Sequence, residues 1–152
     1  MVRILLDTST LVSLAWSAQL SLLSHLPIEP VLIASVHHEA VGQGLARGHA
    51  DAQAIAEAVR DIELLPDPAG DSVDAKVVAA AAAVGAVAAN DQVIGRRATN
   101  LAVRWVRTGD LVVLASAAGS IDVPTARRAI HALAAAGRIT TPLRDAFLED
   151  IG

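Results

Sequence analysis

Five short apolar runs, Val2–Leu6, Val31–Ile33, Ile62–Leu65, Ala86–Ala89 and Leu101–Val106, punctuate the chain, and each is followed by a stretch with helical spacing. An apolar run of four to six residues makes a strand that is buried on both faces. Alternating such strands with helices predicts a parallel sheet covered on both sides and wound by right-handed crossovers. The expected class is therefore α/β, a three-layer α/β/α arrangement around a central, mainly parallel sheet.

The helices are bounded by local signals. Leu11, Leu14, Ala15, Ala18 and Leu22 recur at helical spacing after Asp7, with Thr8 or Ser9 as the cap. Ser35 caps a short helix that carries His37, His38 and Glu39 and ends at Gly42, and a third helix runs from Gly48 to Arg60. After the Pro66-Asp67-Pro68 turn, an Ala-rich helix spans Asp71 to Val84 and stops at Gly85. Asn90 and Asp91 open a helix holding Ile94, Arg97 and Ala98, and Thr108 caps another that runs to Ala118. Two more helices close the chain, one from Pro124 to Gly137 and one from Pro142 behind a Thr141 cap. They read as a helical extension, 121–152, packed on a core of 1–120.

Composition narrows the chemistry. The chain has 152 residues, enough for one domain, and is 53% apolar with a mean hydropathy of +0.48. Much of that is Ala, which favours helix over an all-β core. Its longest apolar stretch, Val77 to Ala89, is interrupted by Gly85 and too short for a bilayer, so no membrane span is expected. Arg3 and Asp7 flank the first apolar run, which therefore does not resemble a signal peptide, and a cytoplasmic address is expected. With no Cys, thiol nucleophiles and zinc–thiolate sites are excluded, and a metal would sit on oxygen or imidazole. The net charge of −4 opposes nucleic-acid binding by overall electrostatics, leaving a local basic patch as the route to it. At 2% aromatic content, the chain cannot build a surface that stacks successive bases, so a nucleic acid would be gripped by its backbone.

Acidic residues sit where such a fold binds ligands, at the carboxyl ends of strands. Asp7 and Asp91 follow the first and fourth strands, while Glu39 and Asp74 lie in first turns of helices. Each also has a plainer use: Asp7 as acceptor for the Thr8–Thr10 turn amides, Asp74 as a cap partner near Asp71, Asp91 as an N-cap and Glu39 as a solvated helix residue. Converging, four carboxylates would repel, and a hard divalent cation with oxygen ligands relieves that cost most simply.

The order of these acids carries a resemblance. Ile4-Leu5-Leu6-Asp7-Thr8-Ser9 resembles the opening of PIN-domain ribonucleases, and Ala34-Ser35-Val36-His37-His38-Glu39-Ala40-Val41 is similar to their second motif. Asp71-Ser72-Val73-Asp74-Ala75-Lys76-Val77-Val78 resembles the third, with Asp74 where many relatives have Glu. Val87-Ala88-Ala89-Asn90-Asp91 before Arg96-Arg97-Ala98 resembles the fourth, with Asn90 where some members have a further Asp. Thr108-Gly109-Asp110-Leu111 and Ala118-Gly119-Ser120-Ile121 extend the likeness to a branch with a C-terminal helical pair, so it spans nearly the whole chain.

The resemblance implies a Mg²⁺- or Mn²⁺-dependent endoribonuclease, with RNA as substrate and a catalytic set of Asp7, Glu39, Asp74 and Asp91. Asp7, Asp74 and Asp91 would ligate metal, and Glu39 would bind it through water or orient the nucleophile. Ser9 and Asn90 would support these ligands, and Arg96 and Arg97 would contact phosphates, although an adjacent Arg pair equally suits a solvated helix face. A VapC-like toxin role with a small antitoxin partner is part of what the likeness implies. A chain this apolar and small also suits a homodimer.

Other signals lead nowhere. Gly42-Gln43-Gly44 lacks phosphate-loop spacing, and His37-His38-Glu39 is not the HExxH of zinc enzymes, with at most one of the two histidines facing the site. Two alternatives stay open beside the nuclease: a non-catalytic PIN-like module binding nucleic acid or protein, and a phosphotransfer or hydrolase domain using Asp7 as nucleophile.

Overall fold

The computed structural model describes residues 2–46, 48 and 50–152. It is an α/β fold whose five strands, β1 (Arg3–Leu6), β2 (Glu29–Ile33), β3 (Glu63–Leu65), β4 (Ala86–Ala88) and β5 (Arg104–Val106), form one all-parallel sheet in the order 3-2-1-4-5. Four lie within the runs read as strands, and β2 begins two residues before its run, at Glu29. The fifth begins late because Ala102 takes a left-handed φ of 58° and Leu101 ends the preceding helix.

Helix α1 (Thr8–Trp16) and a 3₁₀ turn (Leu20–His25) lead to β2. From β2 the chain enters α2 (Ala34–His37), a π-helical stretch (His38–Gln43), α3 (Gly44–Ala46) and α4 (Ala50–Ala58) before β3. Of the helix read over 48–60, position 49 lies outside the described residues. The chain then returns across the sheet through α5 (Val73–Val84) to β4, and through α6 (Gln92–Asn100) to β5. Right-handed crossovers in opposite directions put these connections on opposite faces. Accordingly α1 packs against α4 and α7 (Thr108–Ala117), while α5 packs against α6.

Leu5, Leu6, Val31, Ile33, Val87 and Ala88 are fully buried between the layers, as strands covered on both faces must be. The small side chains of β4, Ala-Val-Ala, make room for helices above and below. Gly85 ends α5 with a φ of 106°, which few residues other than glycine adopt.

Helices α8 (Val123–Ala135) and α9 (Thr141–Ile151) close the chain, both packed on α7. Their contact depends on Gly109: a Cβ there would lie 2.2 Å from the ring of Phe147, which is 3% exposed. Replacing Gly109 by Ala therefore forces Phe147 out of its seat. The expected cost is about 1–3 kcal/mol, read as a lower urea midpoint at unchanged slope.

Candidate functional site

The strand order creates a crevice. From β1 the chain turns toward β2, from its neighbour β4 it turns toward β5, and the two connections leave on opposite faces. Ligand sites of open parallel sheets form at the carboxyl ends of strands at such a switch point. Two of the sequence-selected acids stand there. The Asp7 amide extends the ladder to the Ala88 carbonyl (2.9 Å), and Asp91 lies just past β4.

Asp7 is the N-cap of α1, the role expected of Thr8 or Ser9. Its Oδ2 accepts from the Ser9 amide (3.3 Å) and the Ser9 hydroxyl (2.5 Å). It is nonetheless 5% exposed, and its carboxyl is pushed above the usual aspartate range. Burial is the largest cause, the Ser9 and Thr8 hydrogen bonds oppose it, and the negative charge of Asp74 adds to it. Asp74, exposed in the first turn of α5, is thus within electrostatic reach of Asp7. The cap of that helix is Ser72, whose Oγ accepts from the Ala75 amide at 3.1 Å.

Asp91 does serve as an N-cap. Its Oδ1 accepts from the amides of Val93 (2.7 Å) and Ile94 (3.3 Å). The capping bonds of Asp7 and Asp91 each fall on one carboxylate oxygen, so Oδ1 of Asp7 and Oδ2 of Asp91 retain acceptor capacity.

Glu39 stands apart, in the π-helical stretch after β2. It lines an open cleft of about 260 Å³ with Ser35, His38, Asp67 and Val73, the last being the neighbour of Asp74. His38 is the histidine of the pair that lines this cleft. Ser35 lies inside α2 and is not its cap: the N-cap is Ile33, and the acceptor is Asp67, reached across the fold. Asp67 takes the Ser35 amide at 2.8 Å and also the Ser35 hydroxyl, and it pairs with Lys76 at 3.5 Å. These bonds, Ser35 before Lys76, hold its carboxyl below the usual range.

The structure thus puts Asp74 within electrostatic reach of Asp7, sets Asp91 just past the neighbouring strand and places Glu39 in a separate cleft next to Val73. Among the described residues, no three Asp, Glu or His side chains stand in a grouping that would hold a metal ion with their present rotamers.

Ser9 and Asn90 belong to one hydrogen-bond network with Asp7. The Asn90 amide donates to Ser9 Oγ (3.0 Å), and its side-chain Nδ2 donates to Ser13 Oγ (3.2 Å) and to the Arg138 carbonyl (2.6 Å). Ser13, fully buried, also accepts from Arg138 Nε at 2.9 Å and donates to the Ser9 carbonyl at 2.7 Å. The amide of Asn90 therefore has a task no carboxylate can perform, because it must donate to a carbonyl. Arg96 and Arg97 are exposed on α6, Arg96 bonding only Gln92 at 3.5 Å. The arginines beside Asn90 are Arg107 and Arg138, which line a second open cleft with Gln92 and Trp105. Sequence reasoning missed Ser13, Asp67, Arg107 and Arg138, since each joins the site through partners distant in the chain.

No protein-family model and no curated protein sequence matches the chain.

Two substitutions probe this geometry. Asn90→Asp places an acceptor against the Arg138 carbonyl and is expected to destabilise by about 1–3 kcal/mol, measured by denaturant titration at pH 7. Asp7→Asn, by contrast, is expected to raise Tm at pH 7 in chelator-treated protein. A carboxyl raised on folding costs stability above its folded pKa, and that cost fades as pH falls toward the ordinary value of 3.8. The Tm difference between Asp7→Asn and the parent should therefore shrink between pH 7 and pH 4, and a constant difference would refute the assignment.

Proposed function

We propose that this protein is a metal-dependent endoribonuclease that hydrolyses RNA phosphodiester bonds. The observation that carries the reading is Asp7: a desolvated carboxylate held in the switch-point crevice beside a second negative charge, Asp74. A fold tolerates that cost where the charge has a use, and clefts with perturbed carboxyls are where function concentrates. The likeness of the four acidic motifs to PIN-domain ribonucleases supplies the choice of reaction.

The donor set suits a hard cation, being oxygen-only and negatively charged. Asp7, Asp74 and Asp91 would hold Mg²⁺ or Mn²⁺, with Glu39 joining through water or orienting the attacking nucleophile. When bound, the cation supplies charge relief to the acids and Lewis-acid activation of the phosphodiester. Ser9 fixes Asp7 by binding Oδ2, which leaves Oδ1 as an acceptor for a cation. The capping bonds of Asp91 likewise leave its Oδ2. Asn90 holds Ser9 in place and ties the rim to the C-terminal helices, so the support is continuous from Asp7 to Arg138.

A toxin role, a small antitoxin covering the acidic crevice and a homodimer belong to the same reading. The exposed Trp16, Leu64, Val93 and Leu101 offer apolar surface for such contacts. No helix of the described residues is long and apolar enough to cross a membrane.

One observation favours a second reading, a non-catalytic PIN-like binding module: among the described residues, no three of the acids stand together. Metal titration separates the two. For the nuclease, RNA cleavage appears with Mg²⁺ or Mn²⁺, disappears with chelator, and falls by about 100-fold or more in Asp7→Asn and Asp91→Asn, the scale of losing one electrostatic contact to developing charge. Cleavage indifferent to both substitutions would end the nuclease assignment. Absence of calorimetric metal binding alongside retained partner binding would establish the module.

A further inference from the structure

The cleft of about 170 Å³ between the strand ends and the α8–α9 connection presents two arginines from separate elements, Arg107 at the start of α7 and Arg138 after α8. Among the described residues, the ion pairs are Arg3–Glu63, Lys76–Asp67 and Arg144–Asp145, so neither cleft arginine is in a direct ion pair, although the Asp110 carboxylate accepts from the backbone amide of Arg107 at 2.8 Å. In a chain of net charge −4, two arginines lining one concavity are a local concentration of positive charge.

Both are also held in place. Arg107 lies over the ring of Trp105 at 4.5 Å, and Arg138 over Trp16 at 4.8 Å. Arg138 is fixed further by its Nε bond to buried Ser13, and Trp105 by its indole N–H on the Ala89 carbonyl at 2.9 Å. Trp105 in turn fills the space left by Gly95, where a Cβ would sit 2.1 Å from its ring. A single Arg stacked on Trp is ordinary packing. Two that line one cleft, each held on a tryptophan and neither in a direct ion pair, are the observation to be accounted for.

From this placement we infer that Arg107 and Arg138 form a phosphate-binding subsite for the RNA strand, one residue removed from the acidic rim. Guanidinium forks match phosphate oxygens, and pre-orientation reduces the entropy lost on contact. Asn90 is the shared wall: it lines this cleft, precedes Asp91 and reaches Asp7 through Ser9. A strand whose scissile phosphate lies at the acids would present a neighbouring phosphate here. Naming the anion as RNA rests on the endoribonuclease reading. The anion site itself rests only on the two arginines and their cleft.

The test separates the two. A fluorescein-labelled single-stranded RNA is titrated with the full chain by anisotropy in EDTA, where metal-dependent cleavage is silent, across a series of salt concentrations. Arg107→Gln and Arg138→Gln are each expected to weaken binding several-fold and to reduce the slope of log K against log salt by about 0.7, the increment of one phosphate contact on a single strand. The double variant should lose about twice that slope, and Arg138→Lys should recover part of it. A purely structural role would lower Tm without changing the slope. Arg107 makes no side-chain hydrogen bond among those described, so Arg107→Gln tests the site even where Arg138→Gln unfolds. An unchanged slope in Arg107→Gln overturns the proposal, even where metal-dependent cleavage stands. Arginine-dependent RNA binding in a protein that cleaves nothing supports the subsite and removes only the nuclease reading. Poly-glutamate competing off the RNA and binding more tightly, with the same arginine dependence, would reassign the cleft to an acidic protein partner and overturn RNA as its ligand.

Discussion

The pairing of β1 with β4 at the centre of the sheet is the constraint on which the site depends. Leu5 aligns with Val87 and Leu6 with Ala88, all four fully buried, so the register is fixed by core packing. A slip of one residue would turn these apolar side chains toward the wrong layer. Because the register is rigid, the residues one step beyond each strand are rigid too. That is how Asp7 comes to face the Ala89–Asp91 corner, although the two strand ends, Leu6 and Ala88, are 82 positions apart in the chain. The burial that fixes the strands also desolvates Asp7, so the energetic penalty on this carboxylate follows from the packing that positions it.

Around Asp7 the polar groups are arranged to contain that penalty without removing it. Ser9 supplies two hydrogen bonds, and Asn90 and Ser13 complete a chain that ends on Arg138. Burial without partners would be far more costly, since each unmade hydrogen bond in such surroundings costs about 1–3 kcal/mol. The network also gives the C-terminal helices a structural role at the rim. The carbonyl and Nε of Arg138 meet Asn90 and Ser13, which joins the α8–α9 connection to the first helix and the fourth strand. A change in this connection is thereby felt at the acidic rim through no more than three side chains.

The parts of this arrangement that were legible in the sequence are the local ones. The apolar runs marked all five strands, because a buried parallel strand has no other way to look, and the acids at their ends followed. Strand order was not legible, since nothing in the runs says that the chain crosses from β3 back over β2 and β1 to β4. Caps show the same division. Asp91 caps its own helix, the plainer use its position suggests, whereas the cap expected at Ser35 is replaced by an acceptor, Asp67, 32 residues away. Asn90, expected to support the ligands where some relatives carry a further Asp, does so as a donor. Its donor role depends on the Arg138 carbonyl, 48 residues later, which no local pattern reveals. The scarcity of aromatic residues concealed that the two tryptophans each hold an arginine.

Charge is distributed in a way the net value obscures. Screening limits interactions between exposed charges to about 8 Å at physiological ionic strength, so a strand of phosphates responds to local groups and not to the sum over the molecule. On this rim Asn90 stands between Asp7, which it reaches through Ser9, and the two arginines of the cleft, with its side chain bonded to Ser13 and to the Arg138 carbonyl. A polyanion approaching the acids alone would be repelled. Under the proposed reading, the two arginines held on their tryptophans would attract such a chain first, and the acids would act on the segment they align. An acidic protein can in this way handle a phosphate chain, provided the positive groups are rigid and adjacent, and the Trp–Arg stacks and the Ser13 contact supply that rigidity.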